Sequence, residues 1–174
     1  MRNPATKTLI VFLCAVISIA TVSCSKQADT PDKAFAITKK AVLKNDWNTY
    51  WNMLSSASRE KFDKQVSFMQ VSFKNLPVAN QQRMLDAMGM TEQQMLELDG
   101  RSFFISMQKN EQRRQAAMAD NSRDLFKSSV VIKREVDGGH AVLYIEDEEG
   151  HTAKLPLIRE DGSWKFDLAQ MYSF

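Results

Sequence analysis

The pattern of apolar and polar residues changes twice along the chain. Residues 9–22 are apolar apart from Ser18 and Thr21. From residue 31 to about residue 120, apolar residues recur every three or four positions, which is the period of an α-helix with one buried side. After Asn121 they alternate with polar residues, as in a β-strand with one buried face. The pattern predicts an apolar leader, a helical half and a strand half.

Residues that favour helix ends divide the helical half into six helices. The first begins at Pro31 after Thr30, because a threonine hydroxyl can cap free amides and proline needs no N–H in the first turn. Asp46 is the predicted N-cap of the second helix, and Pro77 opens the fourth. The third helix is predicted at 58–75 and the sixth at 101–120. Gly89 should end the fourth helix, and a Thr91–Gln94 capping box should start the fifth.

Three glycine-containing turns divide the strand half, namely "DGG" at 137–139, "EEG" at 148–150 and "EDG" at 160–162. Strands joined by such turns predict a four-stranded antiparallel meander, with one face packed on the helices. Pro156 cannot donate a hydrogen bond to a neighbouring strand, so it should lie near an edge or a bulge. Alternation in the last strand places Asp167 on the polar face, which predicts an exposed carboxylate.

Residues 1–23 have the features of a secretory signal peptide. Arg2 and Lys7 precede the apolar run without an acidic residue, and the run is shorter than the roughly 20 residues that span a bilayer. The segment "TVSC" at 21–24 resembles a bacterial lipobox, whose cysteine sulfur takes a diacylglyceryl group. We therefore expect Cys24 to be lipidated and to be the first residue of the mature protein.

Lipidation of Cys24 would determine where the protein is located and how its chain is divided into segments. Two or three acyl chains form a stable anchor, because each buried CH₂ contributes about 0.8 kcal/mol. Ser25 in the next position is typical of lipoproteins sorted to the outer membrane, so we expect the periplasmic face of that membrane in a Gram-negative host. Residues 24–30 would be the lipidated cysteine and tether, and 31–174 a single domain. The other cysteine, Cys14, lies in the leader, so the domain cannot form a disulfide.

Charge and motif content exclude several classes of function. Removing Arg2 and Lys7 with the leader reduces the basic residues from 23 to 21, equal to the 21 acidic ones. This balance gives no basic surface that would favour nucleic acid. The chain has no glycine-rich phosphate loop, no CxxC or HExxH metal motif and no serine nucleophile elbow. We expect no cofactor, no metal and no nucleic-acid partner. The acidic "EDEEG" at 146–150 lacks the ligand spacing of a calcium loop and predicts a solvated turn.

The order of the predicted elements resembles a known family. Paired helices at 30–66, with Lys44-Asn45-Asp46 between them, are followed late in the chain by a meander that ends in "DGSWKFD" at 161–167. These features resemble bacterial lipoproteins of the nuclear transport factor 2-like (cystatin-like) superfamily, many of unknown function. The resemblance covers about 30–66 and 125–169. It implies an α+β fold in which helices pack in the concave side of a curved sheet, forming a cone that in some members leaves a pocket. Residues 76–120 depart from the family as a helical insert.

Six of the ten methionines lie in this insert. Methionine is flexible and polarizable, so it both fills irregular gaps in a core and forms adaptable binding surfaces. Thioethers also bind copper(I), although these methionines are more sparse than in periplasmic copper motifs. Trp47 and Trp51 are likewise either core residues or the lining of a pocket. The residues that form the candidate binding set are Trp47, Trp51, Met84, Met88, Met95, Phe104 and Met107.

Three functions follow from these observations. The first is a lipid-anchored envelope protein that binds an apolar small ligand or a protein partner without catalysis, through the insert. The second is a small hydrolase or isomerase, because some members of the resembled superfamily use Asp, His and Tyr inside the cone, and His140 and Tyr144 would share one strand face. Histidines beside turns are commonly solvated, which favours the non-catalytic alternative. The third is a purely structural envelope lipoprotein, with no pocket wider than a water molecule.

Overall fold

The computed structural model describes residues 27–118 and 128–170. Six helices and one four-stranded antiparallel sheet lie within these ranges, and the sheet follows the helices. The helices are α1 Pro31–Leu43, α2 Trp47–Asn52, α3 Ser56–Lys74, α4 Val78–Met88, α5 Glu92–Leu96 and α6 Gly100–Met118. The strands are β1 Val130–Asp137, β2 His140–Glu146, β3 Thr152–Glu160 and β4 Ser163–Phe166. The prediction of a mixed helix and sheet fold with a C-terminal meander is confirmed, whereas Cys24 and the leader lie outside the described residues.

Most helices begin at or within one residue of the predicted position, whereas α3 begins at Ser56, two residues before the predicted start. The side chains of Thr30 and Asp46 each accept a hydrogen bond from the backbone N–H three residues later, at 3.2 and 3.0 Å. Thr91 and Gln94 form the predicted capping box, in which each side chain accepts from the other residue's backbone N–H. These side chains satisfy amides that have no partner within the helix, so residues close in sequence determine each start.

The main core lies between one face of the sheet and helices α1, α2, α3 and α6. Ala141, Leu143 and Ile145 alternate along β2 and are buried against the helices. Trp51 and Phe104 pack in the same core, with their ring centroids 5.5 Å apart. Because alternate residues of β2 contact the helices, the predicted packing of one sheet face is confirmed.

Pro156 lies beside the end of the shortest strand. It pairs in register with Val142 of β2, and its carbonyl accepts a hydrogen bond from the Asp167 N–H at 2.9 Å, just after β4 ends. The N–H and C=O positions of one strand residue point to the same neighbouring strand. The nitrogen of Pro156 therefore faces the side where β4 has already ended, which confirms its expected position near an edge.

Asp167 is buried, so the prediction of an exposed carboxylate is wrong. β4 ends at Phe166, and the alternation of a strand does not extend to the next residue. The side chain of Asp167 is only 6% exposed and accepts hydrogen bonds from Ser55 Oγ at 3.3 Å and Gln170 Nε2 at 2.8 Å. These hydrogen bonds offset the loss of water around the carboxylate.

Candidate functional site

A second, smaller hydrophobic cluster lies in the helical insert. Phe73 of α3, Leu85 of α4 and Met95 of α5 are buried in it, and four methionines pack around them, namely Met69, Met84, Met88 and Met90. Flexible methionine side chains can fill irregular space between three packed helices. This cluster packs α4 and α5 onto the C-terminal half of α3.

Gln70 connects α3 to the end of α5. Its Nε2 lies 3.1, 3.1 and 3.0 Å from the carbonyl oxygens of Met95, Leu96 and Leu98. One amide group, with two hydrogens, therefore serves three carbonyls at a helix end where carbonyls lack partners within the helix. This role of Gln70 is not visible in the sequence, because a polar residue within a helix carries no signal of a contact 25 to 28 residues away.

Gly100 connects the start of α6 to α3. Its N–H donates to Asp63 Oδ1 at 3.0 Å. A Cβ atom at position 100 would lie only 2.7 Å from the backbone nitrogen of Asp63, so the two backbones approach at a distance that only glycine permits. Together, Gly100 and Gln70 position α5 and α6 relative to α3.

An open groove lies between the end of α4, α5 and α6, and we call it the insert groove. Its volume is about 490 Å³. Its lining residues all belong to the predicted insert and are Met88, Gly89, Met90, Gln94, Glu97, Leu98, Ser102, Ser106, Asn110 and Arg113. The groove is far larger than a water molecule.

The insert groove combines an apolar part with a polar wall. Met88, Met90 and Leu98 supply apolar surface, while Ser102, Ser106 and Asn110 follow one another at intervals of four residues on one face of α6. Serine side chains are short, so this face of α6 leaves room for an occupant.

The polar wall ends in side chains with unused hydrogen-bonding capacity. Within the described part of the chain, the side chains of Asn110 and Arg113 have no hydrogen-bond partner, and each carries N–H donors. Glu97 also lines the groove and accepts a hydrogen bond from Gln93 at 2.9 Å. The lining contains two serines and one glutamate, and no cysteine, histidine or lysine. The arrangement is suited to non-covalent binding of an occupant with both apolar groups and hydrogen-bond acceptors.

The structure separates the candidate binding set into several places. Trp47 is buried, and Trp51 and Phe104 pack in the main core, where they contact each other. Met95 is buried in the second cluster, with Met84 and Met88 packed against it. Met107 is 41% exposed, and of the seven residues only Met88 lines the insert groove. Trp51, Phe104 and Met95 are buried within the two clusters; helical spacing identifies an apolar side of a helix without identifying what covers it.

His140 and Tyr144 share one strand face, as alternation predicts, but this face is turned away from the helices. His140 is exposed, while the half-buried Tyr144 donates a hydrogen bond from its hydroxyl to Glu135 Oε2 at 2.9 Å. The ammonium group of Lys133 lies 4.9 Å from the centre of the tyrosine ring. Tyr144 lies four positions after His140 along the strand, a separation of about 13 Å. The two side chains therefore do not converge inside the fold.

The second histidine lies at a solvated turn, as expected. His151 is exposed, and its Nδ1 is 3.1 Å from Asp147 Oδ2. Asp147 also accepts hydrogen bonds from the backbone N–H groups of Glu149 and His151, which close the turn. No group of three histidine, cysteine, aspartate or glutamate side chains within 27–118 and 128–170 is arranged to hold a metal ion.

The comparisons with known proteins identify no relative. No protein-family model, no curated protein and no solved structure matches the chain. No helix in the described ranges is both long and apolar enough to cross a bilayer.

Proposed function

We propose that the chain is a lipid-anchored envelope protein whose folded part is a non-catalytic binding module for a protein partner. The basic and apolar leader followed by a lipobox-like "TVSC" supports an anchor at Cys24. We place the protein at the periplasmic face of the outer membrane of a Gram-negative host.

The open shape of the insert groove favours a protein partner over an apolar small ligand. Small-molecule pockets are concave and bury most of their ligand. The large aromatic side chains that could line such a pocket, Trp51 and Phe104, instead pack against each other in the main core. A partner segment would place apolar side chains on Met88 and Met90 and present acceptor oxygens to the α6 wall.

We also propose that the domain is a variant of the nuclear transport factor 2-like cone. Two features support this relationship: the helices cover one face of the meander, and the chain has the "DGSWKFD" phrase at its last strand. The insert that carries the groove is the part that departs from the family. The hydrolase or isomerase alternative receives no support from the positions of His140 and Tyr144.

Site-specific photo-crosslinking in intact cells tests the partner. A photo-crosslinking amino acid at Ser106, within the groove, should give a discrete adduct with one envelope protein. The same amino acid at Lys154, on the outer face of the sheet, should not. Replacing Asn110 with Trp, which fills the polar end of the groove, should abolish the Ser106 adduct without loss of folding.

The same variants distinguish a protein partner from a small ligand and from the absence of binding in the groove. Native mass spectrometry that finds a bound mass of a few hundred daltons in the wild type, lost in Asn110→Trp, would replace the protein partner with a small ligand. Equal adducts at Ser106 and Lys154, unaffected by Asn110→Trp, would show that the groove is not the binding surface.

A further inference from the structure

The N-terminal end of the described chain is held against the turn between β3 and β4. Ala28 is completely buried. Its carbonyl accepts a hydrogen bond from the Trp164 N–H at 2.7 Å, and its N–H donates to Ser163 Oγ at 3.2 Å. Gln27 Nε2 donates to the Asp161 carbonyl at 3.5 Å, across the same turn. Residues 27 and 28 therefore belong to the folded domain, although the sequence suggests a tether there.

Very little chain separates this point from the expected anchor. Three residues lead from Cys24 to Gln27, and an extended chain covers at most about 3.6 Å per residue, or about 11 Å in all. A lipid-anchored domain on so short a connection cannot rotate freely, because any other orientation would require more chain. The place where the chain enters the fold must stay close to the bilayer surface.

We propose that the end of the domain formed by the two turns at 137–139 and 160–163 faces the lipid bilayer, with the rest of the domain directed away from it. We call this surface the hairpin end. The two turns lie side by side in it, since the Arg159 N–H donates to the Gly139 carbonyl at 2.8 Å. The partner is the lipid surface itself. The inference rests on the proposed lipidation of Cys24.

The opposite end of the sheet is poorly suited to a membrane. The turn at 147–151 lies at the other end of β3, about 26 Å from Glu160 for a strand of this length. Residues 146–149 are all acidic. Anionic lipids would repel this tip, but Asp137, Glu160 and Asp161 at the hairpin end are acidic too, so the orientation rests on the length of chain to the anchor.

The orientation also determines where the insert groove lies. The Glu160 carboxylate binds the start of α3 at the hairpin end, accepting from the Ser56 N–H at 3.0 Å and the Ser56 hydroxyl at 2.7 Å. Gln70, which positions α5 beside the groove, lies fourteen residues further along α3, or about 21 Å along the helix axis. The groove is therefore displaced along α3 from the hairpin end.

Fluorescence quenching on the full, acylated protein tests the orientation. In the acylated protein the Cys24 sulfur is a thioether and Cys14 has been removed, so a single introduced cysteine is the only free thiol. A fluorophore is placed at exposed Arg159→Cys, at the hairpin end, or at exposed Glu148→Cys, at the far tip. The protein is reconstituted in phosphatidylethanolamine–phosphatidylglycerol vesicles that contain a lipid with a nitroxide on its headgroup.

We expect several-fold stronger quenching at position 159 than at position 148. Ten glycine and serine residues inserted between Ser25 and Lys26 should remove most of this difference, because a long flexible linker lets the domain turn. Equal quenching in the acylated, vesicle-bound protein, or stronger quenching at 148, would overturn the orientation and leave the anchor intact. A protein without acyl mass that does not float with vesicles would overturn the anchor and the orientation with it.

Discussion

Gly100, the first residue of α6, lies in direct contact with the backbone of Asp63 on α3. A methyl group at position 100 would be 2.7 Å from the Asp63 nitrogen, a separation that real side chains do not adopt. The contact sets the position of α6, which supplies one wall of the insert groove and places Phe104 in the main core.

Gly100→Ala should destabilise the fold by about 1–3 kcal/mol, because the added methyl group forces apart two packed backbones. Urea denaturation followed by circular dichroism measures the loss. Gly139→Ala is the matched control, since a Cβ there meets nothing within 4 Å. A variant at position 100 as stable as the control would show that α6 moves at little cost.

The buried carboxylate of Asp167 connects the end of β4 to the start of α3 through Ser55. Asp167→Ala should cost about 1–3 kcal/mol, because the buried Ser55 hydroxyl loses an acceptor where water is scarce. Asp167→Asn, which keeps one acceptor oxygen, should cost less. Glu148→Ala on the exposed turn should change stability by no more than about 0.5 kcal/mol. Equal unfolding midpoints for all three variants would contradict this account.

Gln70→Leu should loosen the end of α5 without disturbing the sheet. Three carbonyls lose their side-chain donor, whereas leucine keeps the approximate volume of glutamine. Hydrogen exchange by mass spectrometry should show faster exchange over 91–99 and unchanged protection over 140–146. Gln93→Leu serves as control, because among the described residues the Gln93 side chain hydrogen-bonds only to the side chain of Glu97, four residues away. Protection at 91–99 equal to that of the control would exclude Gln70 as the residue that holds α5.

Asp99 should contribute to the loss of stability in acid. Hydrogen bonds from the Ser102 backbone N–H and hydroxyl lower the pKa of Asp99, and the backbone bond is 2.6 Å long. The pKa of Asp99 in the unfolded chain is about 3.9. When the pH lies between this value and the lower pKa of the folded protein, the unfolded chain therefore binds more protons than the folded one. The stabilisation is fully present above the unfolded pKa and is lost as the pH falls through the folded pKa.

Asp99→Asn keeps a capping oxygen but cannot titrate, so its urea midpoint should fall less steeply than that of the wild type below about pH 4. Glu148→Gln, which removes an exposed carboxylate from a turn, controls for the change in net charge. If the urea midpoints of the wild type and Asp99→Asn changed with pH in parallel, Asp99 would not contribute to the loss of stability in acid.

Interactions between residues close in sequence made much of the fold predictable. Thr30 and the Thr91–Gln94 capping box hydrogen-bond to backbone amides within three residues, so the starts of α1 and α5 could be predicted from the sequence alone. The meander was predictable for the same reason, since glycine-containing turns and alternation are local. The prediction for Asp167 was wrong because the end of β4 depends on packing against another part of the chain.

The sequence by itself determined the order of six helices and four strands, the separation of apolar and polar sides, and the features that suggest lipidation at Cys24. Only the tertiary structure decided which apolar sides face one another: Trp51 and Phe104 in the main core, Met95 in a second cluster, and an open groove above it. It also placed Ala28 within the fold, beside a turn more than 130 residues away in sequence. Periodicity specifies which side of an element is apolar, whereas the partner of that side depends on contacts that no local pattern encodes.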